Sequence, residues 1–235
     1  MTSEKFKKKK FAILIAARSD SVRLPRKHFK IINNKSKLSV LDYCIKRCKK
    51  SKIQNIILCT STNKNDDIFE KYAKKFNIKL FRGSKNNVLK RYIDCAEKYN
   101  LSDIVRITGD CPLVDKNIIN DLLKIYKKNI YDYVSNVNPP TFPDGLDVEI
   151  VNVSILKKSY KENKTNLNKE HVTHNIIKSN KYKKYNMKNN KKNLSKIRWT
   201  VDTENDLKLI REIVMKFHPK IHFNWQSINK LRKFK

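Results

Sequence analysis

Three short segments of this chain gather the residue types that handle phosphate and divalent cations. The first is Ala17-Arg18-Ser19-Asp20-Ser21-Val22-Arg23-Leu24-Pro25-Arg26-Lys27. It sets Arg18, Arg23, Arg26 and Lys27 beside two serine hydroxyls, directly after an apolar run. Such a mixture suits a polyanion such as a nucleoside triphosphate. A solvated basic loop is the competing reading. It is not a phosphate-binding P-loop, because the G-x-x-x-x-G-K-[ST] pattern is absent. The second segment is Arg106-Ile107-Thr108-Gly109-Asp110-Cys111-Pro112-Leu113. A carboxylate just past a strand, with glycine before it, can reach a hard cation. Magnesium takes one or two carboxylates plus phosphate oxygens and water. The third is Arg198-Trp199-Thr200-Val201-Asp202-Thr203-Glu204, in which Asp202 could meet Asp110 or simply cap the next helix.

Glycine use points to the same places. The chain has only three glycines. Gly83 lies in Phe81-Arg82-Gly83-Ser84, Gly109 in the second segment, and Gly145 in Pro143-Asp144-Gly145-Leu146-Asp147-Val148-Glu149. Glycine is needed where φ is positive or a backbone must be approached closely.

The elements that must position these residues alternate. Apolar β-like runs at 11–16, 55–60, 78–81 and 103–107 are separated by helical patterns near 38–51, 65–76, 87–99 and 115–129. Asp115 is placed to cap the last of these. Continuous apolar strands with amphipathic helices between them predict a parallel sheet covered on both faces. Ligands of such sheets bind at the carboxyl ends of the strands, which selects the loops at 17–30 and 108–115. Beyond 131 the rhythm changes. Strands are expected near 131–136, 147–151, 182–187 and 197–201, and helices near 153–163, 168–179 and 203–217. The whole chain, 1–235, reads as one domain, with 135–195 as an insertion or dimerisation segment.

Composition narrows the field. The formal charge of +32 invites a nucleic-acid reading. Lysines make up most of it, alongside abundant asparagine and isoleucine, as an AT-rich genome would supply. No aromatic-rich basic stripe accompanies the charge, so nucleic acid is not the expected partner. The five cysteines form no C-x-x-C pair and suit free thiols in a reducing compartment. The basic start and apolar stretch over 5–17 mimic a signal peptide, but read better as a buried strand feeding a ligand loop. No stretch reaches the roughly 18 apolar residues a membrane span requires. The pairs His171/His174 and His218/His222 lack a third ligand at a recognised zinc spacing.

In their order along the chain these segments resemble the cytidylyltransferase family that includes the spore-coat polysaccharide protein F group. That family is related to CMP-N-acetylneuraminate synthetase and 3-deoxy-manno-octulosonate cytidylyltransferase. The likeness also rests on Val88-Leu89-Lys90-Arg91-Tyr92, Tyr133-Val134-Ser135-Asn136 and Glu170-His171-Val172-Thr173, and covers most of 11–217. It implies an α/β, Rossmann-like nucleotidyltransferase fold with CTP as substrate and magnesium as cofactor. By position, Arg18, Ser21, Arg23 and Lys27 would hold the triphosphate, and Asp110 and Asp202 the metal. Arg18, Lys27, Asp110 and Asp202 would form the catalytic set. Arg82 and Arg91 would lie near the nucleotide or the sugar, among the nucleotide-binding residues, and Asp147, Glu149, Glu170 and His171 would face the sugar or shape its pocket.

The chain departs from the family pattern in three places. Asp20 stands where the first loop usually has glycine and would repel phosphate if it pointed inward. Arg26 occupies the variable position of P-x-K. Asn86-Asn87 replace an acidic pair. The expected activity is transfer of CMP from CTP to an acidic sugar, a nonulosonate or related 2-keto sugar acid, with release of pyrophosphate. The expected setting is a cytoplasmic homodimer serving surface polysaccharide or glycan synthesis, with no membrane partner. A nucleotidyltransferase acting on a sugar 1-phosphate is the alternative enzyme, and a basic nucleic-acid-binding protein the alternative of another class.

Overall fold

The computed structural model of the chain describes residues 9–162 and 170–231. Strand β1 (Phe11–Ala16) is an interior strand of a seven-stranded sheet, third from one edge. Parallel partners flank it: β4 (Ile56–Ser61) on one side and β6 (Asp103–Thr108) on the other. Strand β5 (Lys79–Gly83) pairs parallel with β4 at one edge. Beyond β6, strand β8 (Glu149–Asn152) runs antiparallel, then β7 (Tyr133–Ser135), then β9 (Lys184–Asn186). The segment beyond 131 therefore extends the same sheet. A small hairpin, β2 (Ile31–Asn33) with β3 (Leu38–Ser39), was not anticipated from the sequence.

Helices cover both faces, as continuous apolar strands require. Alternation along β1 sends Ile13 and Ile15 to one core and Ala12 and Leu14 to the other. The first core takes α1 (Val40–Cys48), α2 (Ile68–Phe76), α4 (Lys116–Tyr126) and the C-terminal helices. The second takes α3 (Val88–Lys98), α5 (Val153–Glu162) and α6 (His174–Lys178). Of the helix expected over 168–179, residues 168 and 169 lie outside the described residues; Glu170 is helical, His171–Thr173 interrupt the helix, and α6 follows. The C-terminal helices are α7 (Glu204–Phe217) and α8 (Trp225–Lys230), the second without a counterpart in the sequence reading. Asp115 caps α4, accepting from Asn117 N at 2.8 Å. Its other oxygen accepts from Trp225 N, which anchors α8.

One expected strand is absent. Residues 197–201 run as an irregular segment with a single bridge between Asp144 and Arg198. Their backbone is bonded to the 143–146 turn instead of to a sheet strand. Asp144 N donates to Ile197 O at 2.9 Å, and Trp199 N donates to Asp144 O at 2.7 Å. Gly145 makes this contact possible. Its φ is +101°, and a Cβ there would sit 2.7 Å from the Trp199 carbonyl carbon.

Candidate active site

The chain reverses its direction of sheet growth at β1, because β4 and β5 lie to one side and β6 to the other. Such a switch point opens a crevice at the carboxyl end of β1. A cleft of about 490 Å³ occupies this place. The loop after β1 supplies Arg18, Asp20, Ser21, Val22, Arg23 and Lys27 to its wall. The tip of β6 supplies Thr108 and Asp110, and the irregular segment supplies Asp202.

Lys27 is the focus. Its Nζ lies 2.5 Å from Asp110 Oδ2 and 2.5 Å from Asp202 Oδ1. The residue is only 9% exposed. Burial disfavours the ammonium, yet the two carboxylates more than offset this and its pKa rises above the ordinary lysine value. Burial would likewise push the Asp110 carboxyl up, but Lys27, and to a smaller extent His28, hold it below the usual value. His28 is buried against the cleft, and that burial lowers its pKa to about 4, so it is neutral at pH 7.

Local chemistry brings the two aspartates together from distant parts of the chain. Gly109 N donates to Ala16 O at 2.8 Å, which seats the β6 tip against the end of β1. A Cβ on Gly109 would lie 3.1 Å from Ala16 O and from Ala17 Cβ. Val201 N then donates to Asp110 O at 2.9 Å, which lays the irregular segment across that tip. Helix α7 is capped by the reciprocal pair Thr203 and Asp206. Asp202 is thereby released from capping, and its carboxylate faces Lys27. Arg198 braces it from behind, bonding Asp202 Oδ2, Asp144 Oδ2 at 2.8 Å and Asp206 Oδ1 at 3.4 Å. Arg23 adds a contact to Asp202 at 3.0 Å.

Of the residues selected from sequence, Arg18, Ser21, Arg23, Lys27, Arg91, Asp110, Glu170, His171 and Asp202 line this one cleft. Asp20 lines it as well, but its carboxylate is paired with Arg18 and Lys85, each at 3.3 Å. The repulsion expected of Asp20 is thus offset by two cations.

Three selected residues are placed otherwise. Arg82 is outside the cleft lining. It bonds Asp67 at 2.6 Å, Glu70 at 3.2 Å and the carbonyls of Ser61 and Asn63, and so ties β5 to the start of α2. Glu149 is 3% exposed and has both oxygens occupied. Arg106 bonds one, while Tyr133 OH (2.7 Å) and Thr173 Oγ1 bond the other. It shapes the wall through Arg106 and does not line the cleft. Asp147 is partly buried beside Asp144 and Glu149, again outside the lining. Burial first, then those two carboxylates, raise its pKa to about 7.

Sequence reasoning passed over Arg106, Arg198 and Asp66. The first two were quoted within motifs, without a role. Asp66 holds the base of the loop by accepting from Ser19 N and Oγ (2.8 and 2.6 Å) and from Ser61 Oγ (2.5 Å). Nothing in the local sequence around Asp66 marks it.

A mostly parallel α/β sheet with a basic cleft at its switch point, and two carboxylates on its floor, is the architecture of a nucleotide-handling enzyme. A family profile for cytidylyltransferases matches residues 12–227. The chain belongs to the cytidylyltransferase family and is a nucleotidyltransferase. It is similar to a solved cytidylyltransferase of Leptospira borgpetersenii serovar Hardjo-bovis at a TM-score of 0.90 and 31% identity, over 96% of this chain and 94% of that one. It is 30% identical to the spore coat polysaccharide biosynthesis protein SpsF of Bacillus subtilis, over 61% of this chain and 59% of that protein. It is 32% identical to a 3-deoxy-manno-octulosonate cytidylyltransferase of Fusobacterium nucleatum, over 51% of this chain and 47% of that enzyme.

Proposed function

We propose that this enzyme transfers CMP from CTP to a hydroxyl of an acidic sugar of the 2-keto sugar acid class, releasing pyrophosphate. The observation that carries the reading is the convergence of Asp110 and Asp202 on one cationic point inside a basic cleft. The likeness to a 3-deoxy-manno-octulosonate cytidylyltransferase supports an acidic acceptor, and the likeness to SpsF supports a role in surface polysaccharide synthesis. No described helix is long and apolar enough to cross a membrane. The setting we favour is the cytoplasm, where CTP is made.

The carboxylate pair fits magnesium. Both oxygens already share a cation, the Lys27 ammonium, and the cleft leaves room for phosphate oxygens and water. Among the described residues no group of three His, Cys, Asp or Glu forms a complete protein cage. Magnesium completes its shell with substrate oxygens and water, so two carboxylates suffice. Asp110 and Asp202 would hold it, and when bound it would polarise the α-phosphate and favour the ionised acceptor hydroxyl.

The chain's own residues do the rest. Arg18, Arg23 and Lys27 bind the triphosphate, with Lys27 moving from the carboxylates to the β- and γ-phosphates. Ser21 donates to a phosphate oxygen. The acceptor oxygen forms a bond to the α-phosphorus while the bond to pyrophosphate breaks, and the hydroxyl proton leaves to solvent. A covalent cysteine intermediate is disfavoured. Cys111, beside Asp110, is buried, and burial pushes its thiol well above the ordinary value.

The test is pyrophosphate release with each of the four nucleoside triphosphates and a panel of sugar acids. CTP with an acid should be productive, and turnover only with a sugar 1-phosphate would sink the reading. Lys27→Ala should weaken CTP binding by roughly ten- to a hundredfold in calorimetry, the worth of one or two charge-assisted contacts.

A further inference from the structure

Arg91 and Arg106 stand apart from the cations of the phosphate loop. Arg91 descends from α3 and is 2% exposed. Among the described residues its guanidinium makes one hydrogen bond, to the Ser84 carbonyl at 3.3 Å, and its Nε has no partner. Among the described residues no carboxylate pairs with it. Asp66, whose field reaches Arg91, has both oxygens engaged by Ser19 and Ser61. Arg106 rises from β6 on the side of the sheet that Ile104 shares with α3 and α5. Glu149 holds its Nη1, while its Nε has no partner. Tyr92, next to Arg91 and within the field of Arg106, has a buried hydroxyl that is also unpartnered.

Buried donors without acceptors are rare in native proteins, and each calls for an explanation. Two of them, the Nε atoms of Arg91 and Arg106, belong to residues that line one cleft, and they point to a missing acceptor. Both arginines line that cleft together with Asp110 and Asp202. Two guanidinium groups against the single carboxylate of Glu149 leave one surplus positive charge. That balance suits a monoanion better than a phosphate dianion. The planar fork of arginine matches a carboxylate in particular.

We propose that Arg91 and Arg106 form an anion subsite that takes the carboxylate of the acceptor sugar and thereby selects acids over neutral sugars. This rests on the reading of an acidic acceptor above. Glu149, Tyr133 and Thr173 act as positioning residues that hold Arg106 in place. The triphosphate has its own cations in Arg18, Arg23 and Lys27, so the two substrates are read by separate sets.

The experiment pairs two ligands with two variants. CTP affinity is measured by calorimetry. Binding of 3-deoxy-manno-octulosonate, of N-acetylneuraminate and of their methyl esters is measured by thermal shift. The wild type should bind at least one acid and bind its ester far more weakly. Arg91→Gln and Arg106→Gln should each lose about ten- to a hundredfold in acid affinity. Their CTP affinity should stay within about twofold of the parent, in keeping with separate sites. Should Arg106→Gln fail to fold because Glu149 loses a donor, Arg91→Gln breaks only the Ser84 contact and carries the test. Loss of CTP binding with acid binding intact would make the anion a phosphate and overturn the proposal. So would equal binding of acid and ester, or a wild type that binds neither acid. Failure of the acceptor reading shows itself separately, as an acid that binds but yields no pyrophosphate from CTP.

Discussion

Lys27, Asp110 and Asp202 show how much chemistry three side chains gain from sharing one point. Burial alone would disfavour the charge of Asp110. Lys27, held between the two carboxylates, keeps the Asp110 carboxyl below its ordinary value. On the proposal that these two carboxylates hold magnesium, Asp110→Asn and Asp202→Asn are expected to cut turnover by roughly a thousandfold or more, since a catalytic metal contributes several kcal/mol at about 1.4 kcal/mol per decade. Circular dichroism should show the fold retained. Near-normal rates with magnesium present would overturn the proposal that these two residues hold a metal.

Asp147 permits a prediction with a definite sign. Its folded pKa of about 7 lies above the value of an unfolded aspartate, so the folded state holds the proton more tightly. The stability this contributes is complete below about pH 4 and is lost as pH rises through 7. Asp147→Asn should match the wild type near pH 4. Near pH 8 it should be more stable by about 1–3 kcal/mol, allowing for the partial exposure of the group. Urea unfolding at the two pH values decides, and a gain independent of pH would refute the assigned cause.

At the scale of elements, the site depends on an irregular segment being pressed against a strand tip. Gly145 is the hinge of that arrangement. A side chain there meets the Trp199 and Thr200 backbone at 2.7–2.9 Å, and its φ of +101° strains any other residue. Gly145→Ala should cost about 2 kcal/mol or more in denaturant unfolding. It should also lower activity, because Asp202 rides on the displaced segment. An equally stable and active variant would show that the 143–146 turn does not set the position of Asp202.

The parallel strands and their helices were legible in the sequence because burial on both faces leaves continuous apolar runs. Short strands such as β2 and β3 leave no such run. The expected strand at 197–201 had the right residues, but its backbone bonds to a turn.

At the scale of the whole molecule, charge and edges matter. Strand β9 closes one edge of the sheet with a lysine-rich flank at 178–192, and an open edge is a ready place for a second copy. We expect a twofold homodimer through the 131–195 segment, the commonest closed assembly of soluble proteins. A formal charge of +32 opposes it, so association should strengthen as salt shortens the Debye length to about 8 Å at physiological ionic strength. Light scattering of active enzyme at that ionic strength is the check. A mass near 27.9 kDa across micromolar concentrations would exclude the dimer.

The sequence by itself determined the residue types of the site and the strand ends that carry them. A buried strand must be apolar, a ligand loop must not be, and that contrast is written locally. It also carried the motifs by which the family is recognised. Only the tertiary structure decided which charges meet. Arg82 turns to Asp67 and Glu70 instead of the cleft, and Glu149 becomes a brace for Arg106. Asp202 reaches Lys27, 175 positions away, because Val201 is bonded to the Asp110 carbonyl. A side chain's partner across such a separation depends on how loops are seated on the sheet, and no local periodicity encodes that.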